Sequence, residues 1–137
     1  MFTTAQDARD FMLAGNAYVT LRSVRTGTHY TFRVNASSSG EVHFVSHLVA
    51  PDQYEYIATI FNQAELRLTR KSPSPEYTPY RAFRYAWGWI ASGIIPSDLE
   101  VRHDGRCGRC GRQLTHPSSI DRGIGPECAK ILECTPA

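Results

Sequence analysis

The amino-acid sequence predicts an α+β fold: an antiparallel sheet of about five strands flanked by helices, followed by a treble-clef-like zinc module. Three observations predict it. Residues 17–69 form successive alternating, β-rich runs separated by turn signals. Two segments, one on each side of these runs, carry apolar side chains at helical spacing. Three cysteines then gather in the order Cys107-Gly-Arg-Cys110 and Cys128. The expected division is an α+β domain over 1–95 and a zinc-binding module over 98–134.

In chain order, Thr3 or Thr4 caps a helix running to about Ala14, with Ala8, Phe11 and Met12 inward and Gly15-Asn16 as its stop. The runs Ala17–Arg22, His29–Val34 and Glu41–Leu48 follow, divided by Thr26-Gly27 and by Ser37–Gly40. Tyr54–Phe61 and Ala64–Thr69 add two strands around Asn62-Gln63, which gives a curled meander with one face on a core. Pro73, Pro75 and Pro79 exclude Lys71–Tyr80 from a sheet interior and mark a surface connector. Arg81–Ser92 is an amphipathic helix with Phe83, Trp87 and Ile90 on one stripe, ended by Gly93 and Pro96. Leu99–Arg102 is a short strand leading into the cysteines.

With 42% hydrophobic residues in 137, the chain has enough apolar material for a packed core. No apolar run approaches the roughly 20 residues that span a bilayer, and the first residues lack the basic start and apolar stretch of a secretory signal. A cytoplasmic location is expected, where clustered cysteines favour metal over disulfides. A formal charge of +2 makes no global case for nucleic acid. Locally, however, Arg102, Arg106, Arg109, Arg112 and Arg122 outnumber Asp104 and Asp121.

The Cys-x-x-Cys pair places two thiolates on one tight turn, with Gly105, Gly108 and Gly111 letting backbone amides face them. Gln113–Ile120 is expected as a short β-excursion around Pro117. Gly123 and Gly125 permit a reversal, and Pro126 suits a first helical turn that would set Cys128 at the positive end of a helix dipole. Knuckle, excursion and a cysteine at a helix start follow the logic of a treble clef around structural Zn2+. For the fourth ligand, His103 lies four residues before Cys107; Cys134 and His116 are the alternatives.

Residues 107–128, reading CGRCGRQLTHPSSIDRGIGPEC, resemble a zinc-finger-like segment of a domain-of-unknown-function family found in many bacteriophage and bacterial proteins. Upstream, Ala14-Gly-Asn-Ala17 with Phe32-Arg-Val34, His43-Phe-Val-Ser46, Lys71-Ser and Ala82-Phe look like small phage-encoded proteins that carry this segment. The resemblance implies a zinc site with Cys107, Cys110 and Cys128 as ligands, a phage origin and hence a host-cell cytoplasm, and no substrate. The fourth ligand stays open.

Function is expected to be non-catalytic. Three cysteines plus one further ligand make a closed set. A deaminase-like use of Glu127 would need a partner motif that this chain does not carry in the required order. His29, His43 and His47 lie on strand segments without a carboxylate at useful spacing. A phage product that binds and modulates a host protein or protein–nucleic-acid complex fits, with Tyr and Arg side chains of the 72–81 loop as interface groups. The alternative is nucleic-acid binding through Arg106, Arg109, Arg112 and Arg122, with Arg70, Lys71 and Arg81 beside Tyr77 and Tyr80, and Tyr30, Phe32 and His43 as a stacking platform. Neither a membrane nor a small-molecule substrate is implied.

Overall fold

The structure is a computed structural model that describes residues 1–114, 120, 122–125, 128 and 131. Helix α1 (Ala5–Met12) starts where the Thr4 hydroxyl accepts the Asp7 N–H at 3.2 Å, satisfying a donor that the first turn leaves unpaired. Ala5, Ala8, Phe11 and Met12 form its buried stripe. Strands β1 (Asn16–Ser23), β2 (His29–Ala36), β3 (Val42–Ala50), β4 (Gln53–Phe61) and β5 (Glu65–Arg67) then run as an antiparallel meander. Asn62 and Gln63 both have positive φ at the centre of the tight turn in which the Ala64 N–H donates to the Phe61 carbonyl at 3.1 Å, and a three-residue connection joins the paired Phe61 and Glu65. The turn is tied to both helices: Arg9 donates to the Gln63 carbonyl and the Trp87 indole N–H to the Ala64 carbonyl, each at 2.8 Å.

Helix α2 (Thr78–Ala91) begins three residues before the expected Arg81. Pro79 lies in its first turn, where a missing N–H costs nothing, so a residue read as a connector breaker is a helix starter. Tyr80, Phe83, Ala86, Trp87 and Ile90 are buried against the sheet and α1. Phe83 meets Phe32 edge-on at 5.0 Å.

The sheet has six strands, not about five, in the order β5-β4-β3-β2-β1-β6, curled as a half-barrel. The sixth, β6 (Leu99–His103), was expected only as a lead into the cysteines; it pairs antiparallel with β1 from Ser23↔Leu99 to Val19↔His103. Alternation marks a segment as extended but does not name its neighbour. Both helices cover one face, which carries Val19, Leu21, Phe32, Val34, Val45, Ile60 and Val101. The other face carries the alternate residues.

One irregularity decides what that other face contains. Between Val45↔Ala58 and Ser46↔Tyr56 the register shifts, so Ile57 is an extra residue and both Ile57 and Ala58 are buried. Past this bulge the side-chain parity inverts. Tyr54 and Tyr56 therefore join Thr59 and Phe61 on the face away from the helices, opposite Leu48, Ser46, Phe44 and Val42.

Candidate functional site

The cysteine turn is built on the α1–β1 junction. Gly111 N–H bonds the Cys107 carbonyl at 2.9 Å, Cys107 N–H bonds the Arg112 carbonyl at 2.8 Å, and Arg106 bridges Gln113. This knuckle is pinned at its tip: the Gly108 carbonyl accepts the Asn16 N–H at 2.7 Å, and Gly108 N–H donates to the Gly123 carbonyl at 2.8 Å. The glycines are required by proximity. A Cβ on Gly108 would lie 2.6 Å from the Phe11 ring and 2.9 Å from its carbonyl; one on Gly123 would meet the same ring at 2.6 Å, at a φ of +72°. Phe11 thus packs directly on two tail backbones.

This packing brings the Sγ atoms of Cys107, Cys110 and Cys128 within 4.8 Å of one another. Cys128 is in helical backbone, Cys107 and Cys128 are buried, and Cys110 is exposed. Cys107 Sγ accepts N–H bonds from Arg109 at 3.4 Å and Gly125 at 3.3 Å, and the Arg109 guanidinium approaches Cys128 Sγ at 3.6 Å. Burial pushes the Cys107 thiol up, but backbone N–H groups of Gly125, Cys110 and Arg109 outweigh it and bring its pKa down to about 7. Burial raises the Cys128 pKa, Arg109 opposes this, and the neighbouring thiols add to it. The pair titrates as a unit: once one sulfur is ionised, the next resists a second negative charge until a cation arrives. Three thiols this close could bind a metal ion.

His103 stands outside this cluster. Strand parity turns it to the helix-covered face with Val101, where its ring packs edge-on to Phe2 at 5.5 Å and beside Phe11 at 5.7 Å. Its Nδ1 accepts the Gly105 N–H at 2.9 Å and its Nε2 faces the Ile120 carbonyl, so the lone pair that a metal would need is already engaged. The alternatives His116 and Cys134 lie outside the described residues, as does Glu127. Gln113 pairs with Arg106 as the expected excursion requires, whereas Ile120 is in helical backbone.

The expected basic residues scatter. Arg106 is bonded to Asp104 and stacks over the Tyr18 ring at 4.1 Å. Arg109 serves the thiols, Arg112 lends the knuckle its carbonyl, and Arg122 is half-buried in the tail. Arg70 and Lys71 are exposed after β5, while Arg81 is exposed on α2. The Tyr30, Phe32 and His43 platform does not exist as an open surface. Phe32 and His43 are buried under the helices and Tyr30 packs against the same core, because the alternation Tyr30-Phe32-Val34 is the core face of β2. Of the loop tyrosines, Tyr80 is buried and Tyr77 bonds His47 Nδ1 at 3.1 Å. His43 and His47 do share a sheet face, but His43 Nε2 is bonded to the Leu13 carbonyl at 3.1 Å, so the two serve separate contacts.

The open aromatic surface is on the other face. Tyr18 and Tyr54 are three strands apart in the sheet order, roughly 14 Å between backbones, yet their rings meet at 5.6 Å. Both must lie along the sheet. Arg33 adds a guanidinium 5.7 Å from the Tyr18 ring. Nearer β5, a shallow cavity of about 450 Å³ is lined by Val42, Phe44, Tyr56, Phe61, Thr69 and Lys71, among others. Sequence reasoning missed Tyr54 and Tyr56 here; the buried Ile57-Ala58 pair within an alternating run was the available signal of a parity change.

Residues 97–133 match a family profile described as a family of unknown function (DUF6011), which spans β6, the knuckle and all three cysteines. No curated protein and no solved structure matches the chain.

Proposed function

We propose that this chain is a non-catalytic binding protein whose tail is folded by structural Zn2+ and whose body modulates a macromolecule in a host cell. The donor set supports the metal: an all-thiolate group suits zinc, whose bonds to sulfur of about 2.3 Å set S···S near ~3.8 Å in a tetrahedron, within reach of the observed cluster. Cys107 and Cys110 on a knuckle, followed by Cys128 in helical backbone, follow treble-clef logic. Three thiolates become a closed, structural set once one further protein ligand joins them, and among the described residues this is the only close group of three metal-ligating side chains.

The observation that carries the binding reading is the sheet's uncovered face. Among the described residues, helices pack on one side of the six strands, and the other side bears Tyr18, Tyr54, Phe44, Tyr56 and Phe61 together with arginine. Aromatics and arginine are the side chains that concentrate interface energy. The phage resemblance of the sequence fits a partner in the infected cell. Affinity capture from bacterial lysate with and without nuclease, using zinc-loaded protein, tests this reading. A stoichiometric partner of either kind is expected; none under any condition, with the protein folded, ends it.

A further inference from the structure

Resting on the binding reading above, we infer that the partner is single-stranded nucleic acid and that it docks on the uncovered sheet face, with bases in the Phe44–Tyr56–Phe61 cavity. The bulge at Ile57 carries the first part of the inference. It inverts the parity of β4 so that Tyr54 and Tyr56 face outward while Ile57 and Ala58 stay in the core. Bulges re-aim side chains in this way next to sites. Its result is a recess walled by Phe44, Tyr56 and Phe61. Phe44 is 37% exposed although it is large and apolar. The Tyr56 hydroxyl bonds the Thr59 hydroxyl at 2.6 Å and the Thr69 hydroxyl at 2.8 Å, which fixes the ring as a rigid wall. An unstacked base is flat, apolar on its faces and polar at its edges, as this recess is.

Charge supplies the second part. Three carboxylates of this face are committed to ion pairs, Glu65 to Arg67, Glu100 to Arg22 and Arg102, and Asp104 to Arg106, and Asp52 acts on Tyr54 at the far end of the sheet. Arg33 and Lys71 lie beside this face with no ion pair to a carboxylate among the described residues. Arg33 is held by the neutral Asn16 side chain at 3.1 Å, and Lys71 sits on the cavity rim. Arg67 lies on the same rim side, its guanidinium 5.3 Å from the Phe61 ring. Aromatic walls with uncompensated cations beside them suit bases threaded along a phosphate backbone. A duplex, whose bases are stacked inside, cannot enter such a recess.

Fluorescence anisotropy of the zinc-loaded full chain with labelled oligo(dT) and oligo(rU) tests the assignment. Binding is expected at low salt, falling roughly ten-fold or more between about 50 and about 200 mM salt as phosphate contacts are lost. Phe44→Ala should weaken it about ten-fold. Lys71→Glu should weaken it and flatten the salt dependence, while Trp89→Ala, exposed on α2, should leave it unchanged. Absence of binding at low salt by protein with an intact near-ultraviolet circular dichroism spectrum overturns the inference. Equal loss in Phe44→Ala and Trp89→Ala, or preference for duplex, does the same. A nuclease-resistant protein partner that Phe44→Ala releases would assign the face to a protein instead, overturning this inference while the binding reading stands.

Discussion

The helix-covered sheet and the cysteine tail are held together by different forces. The body buries Phe11, Phe32, Phe83, Ile57, Ile60 and Ile90 almost completely, each contributing about 1.5–3 kcal/mol. The described tail cluster consists of Leu114, Ile124, Cys107 and Cys128, with Ala14 lent by the body. Ordering a tail backbone costs about 1–2 kcal/mol per residue, far more than two aliphatic side chains return. The tail therefore needs support beyond its own apolar contacts: the Phe11 ring beneath Gly108 and Gly123 and, on the reading proposed above, a metal ion at its thiols. A region this thin in apolar contacts is specified by a few short-range bonds, whereas the body is specified by area.

The largest effect that would sharpen this contrast is metal removal. Chelation or Cys107→Ser should unfold the tail outright, since structural zinc sites contribute about 10–16 kcal/mol in small zinc-dependent modules. Hydrogen exchange should show Gly108, Gly111 and Leu114 losing protection while the β2–β4 amides keep theirs. A melt and exchange pattern indifferent to chelator would mean that the tail is held as the body is. Phe11→Ala comes next, at about 3–5 kcal/mol. Because the ring touches both regions, it should also weaken metal affinity; stability lost with metal affinity unchanged would uncouple them.

Gly108→Ala isolates the contact itself. A methyl at 2.9 Å from a backbone carbonyl cannot be relieved by a rotamer change, and about 1–3 kcal/mol of destabilisation is expected in chemical denaturation. Gly88→Ala is the counterpart of opposite sign: it is an exposed helical glycine with nothing within 4 Å, and alanine there should stabilise by about 0.5–1 kcal/mol.

The smallest effect belongs to the body alone. Burial lowers the His43 pKa, with the Leu13 hydrogen bond acting against it, and its Nδ1 is buried without a partner. The folded pKa thus lies below the ordinary value of 6.5, so the unfolded chain takes up the proton first. Stability is full above about 6.5 and declines as pH falls through that value toward the folded pKa. His43→Leu should flatten this part of a melting-temperature profile measured against pH, leaving a residual slope from His47, also lowered by burial. An unaltered profile would place the proton elsewhere.

Local physics made much of this legible. Thr4 as a cap, the Phe83-Trp87-Ile90 stripe, Asn62-Gln63 as a turn and the Cys107–Cys110 knuckle each rest on neighbours within a few residues, and each stands in the structure. What escaped depended on distant partners. His103 looked close to the thiols along the chain, but β6 pairing turns it toward Phe2 and Phe11. Tyr30 and Phe32 looked like a platform because aromatic content outweighed an alternation that already assigned them inward. The actual open face needed the Ile57 bulge, which shifts parity without altering composition.

The pairing of β6 with β1 also orders events during synthesis. Val19 must wait for His103 to leave the ribosome before that edge of its strand finds hydrogen-bond partners. Until then a nascent chain with a nearly complete meander exposes a row of unpaired amides and carbonyls, the template on which strands from neighbouring chains add. Arrival of residues 99–103 seals this edge and delivers the knuckle to Phe11 in the same movement. Translation stalled just before Leu99 should therefore yield aggregates rather than a soluble sheet.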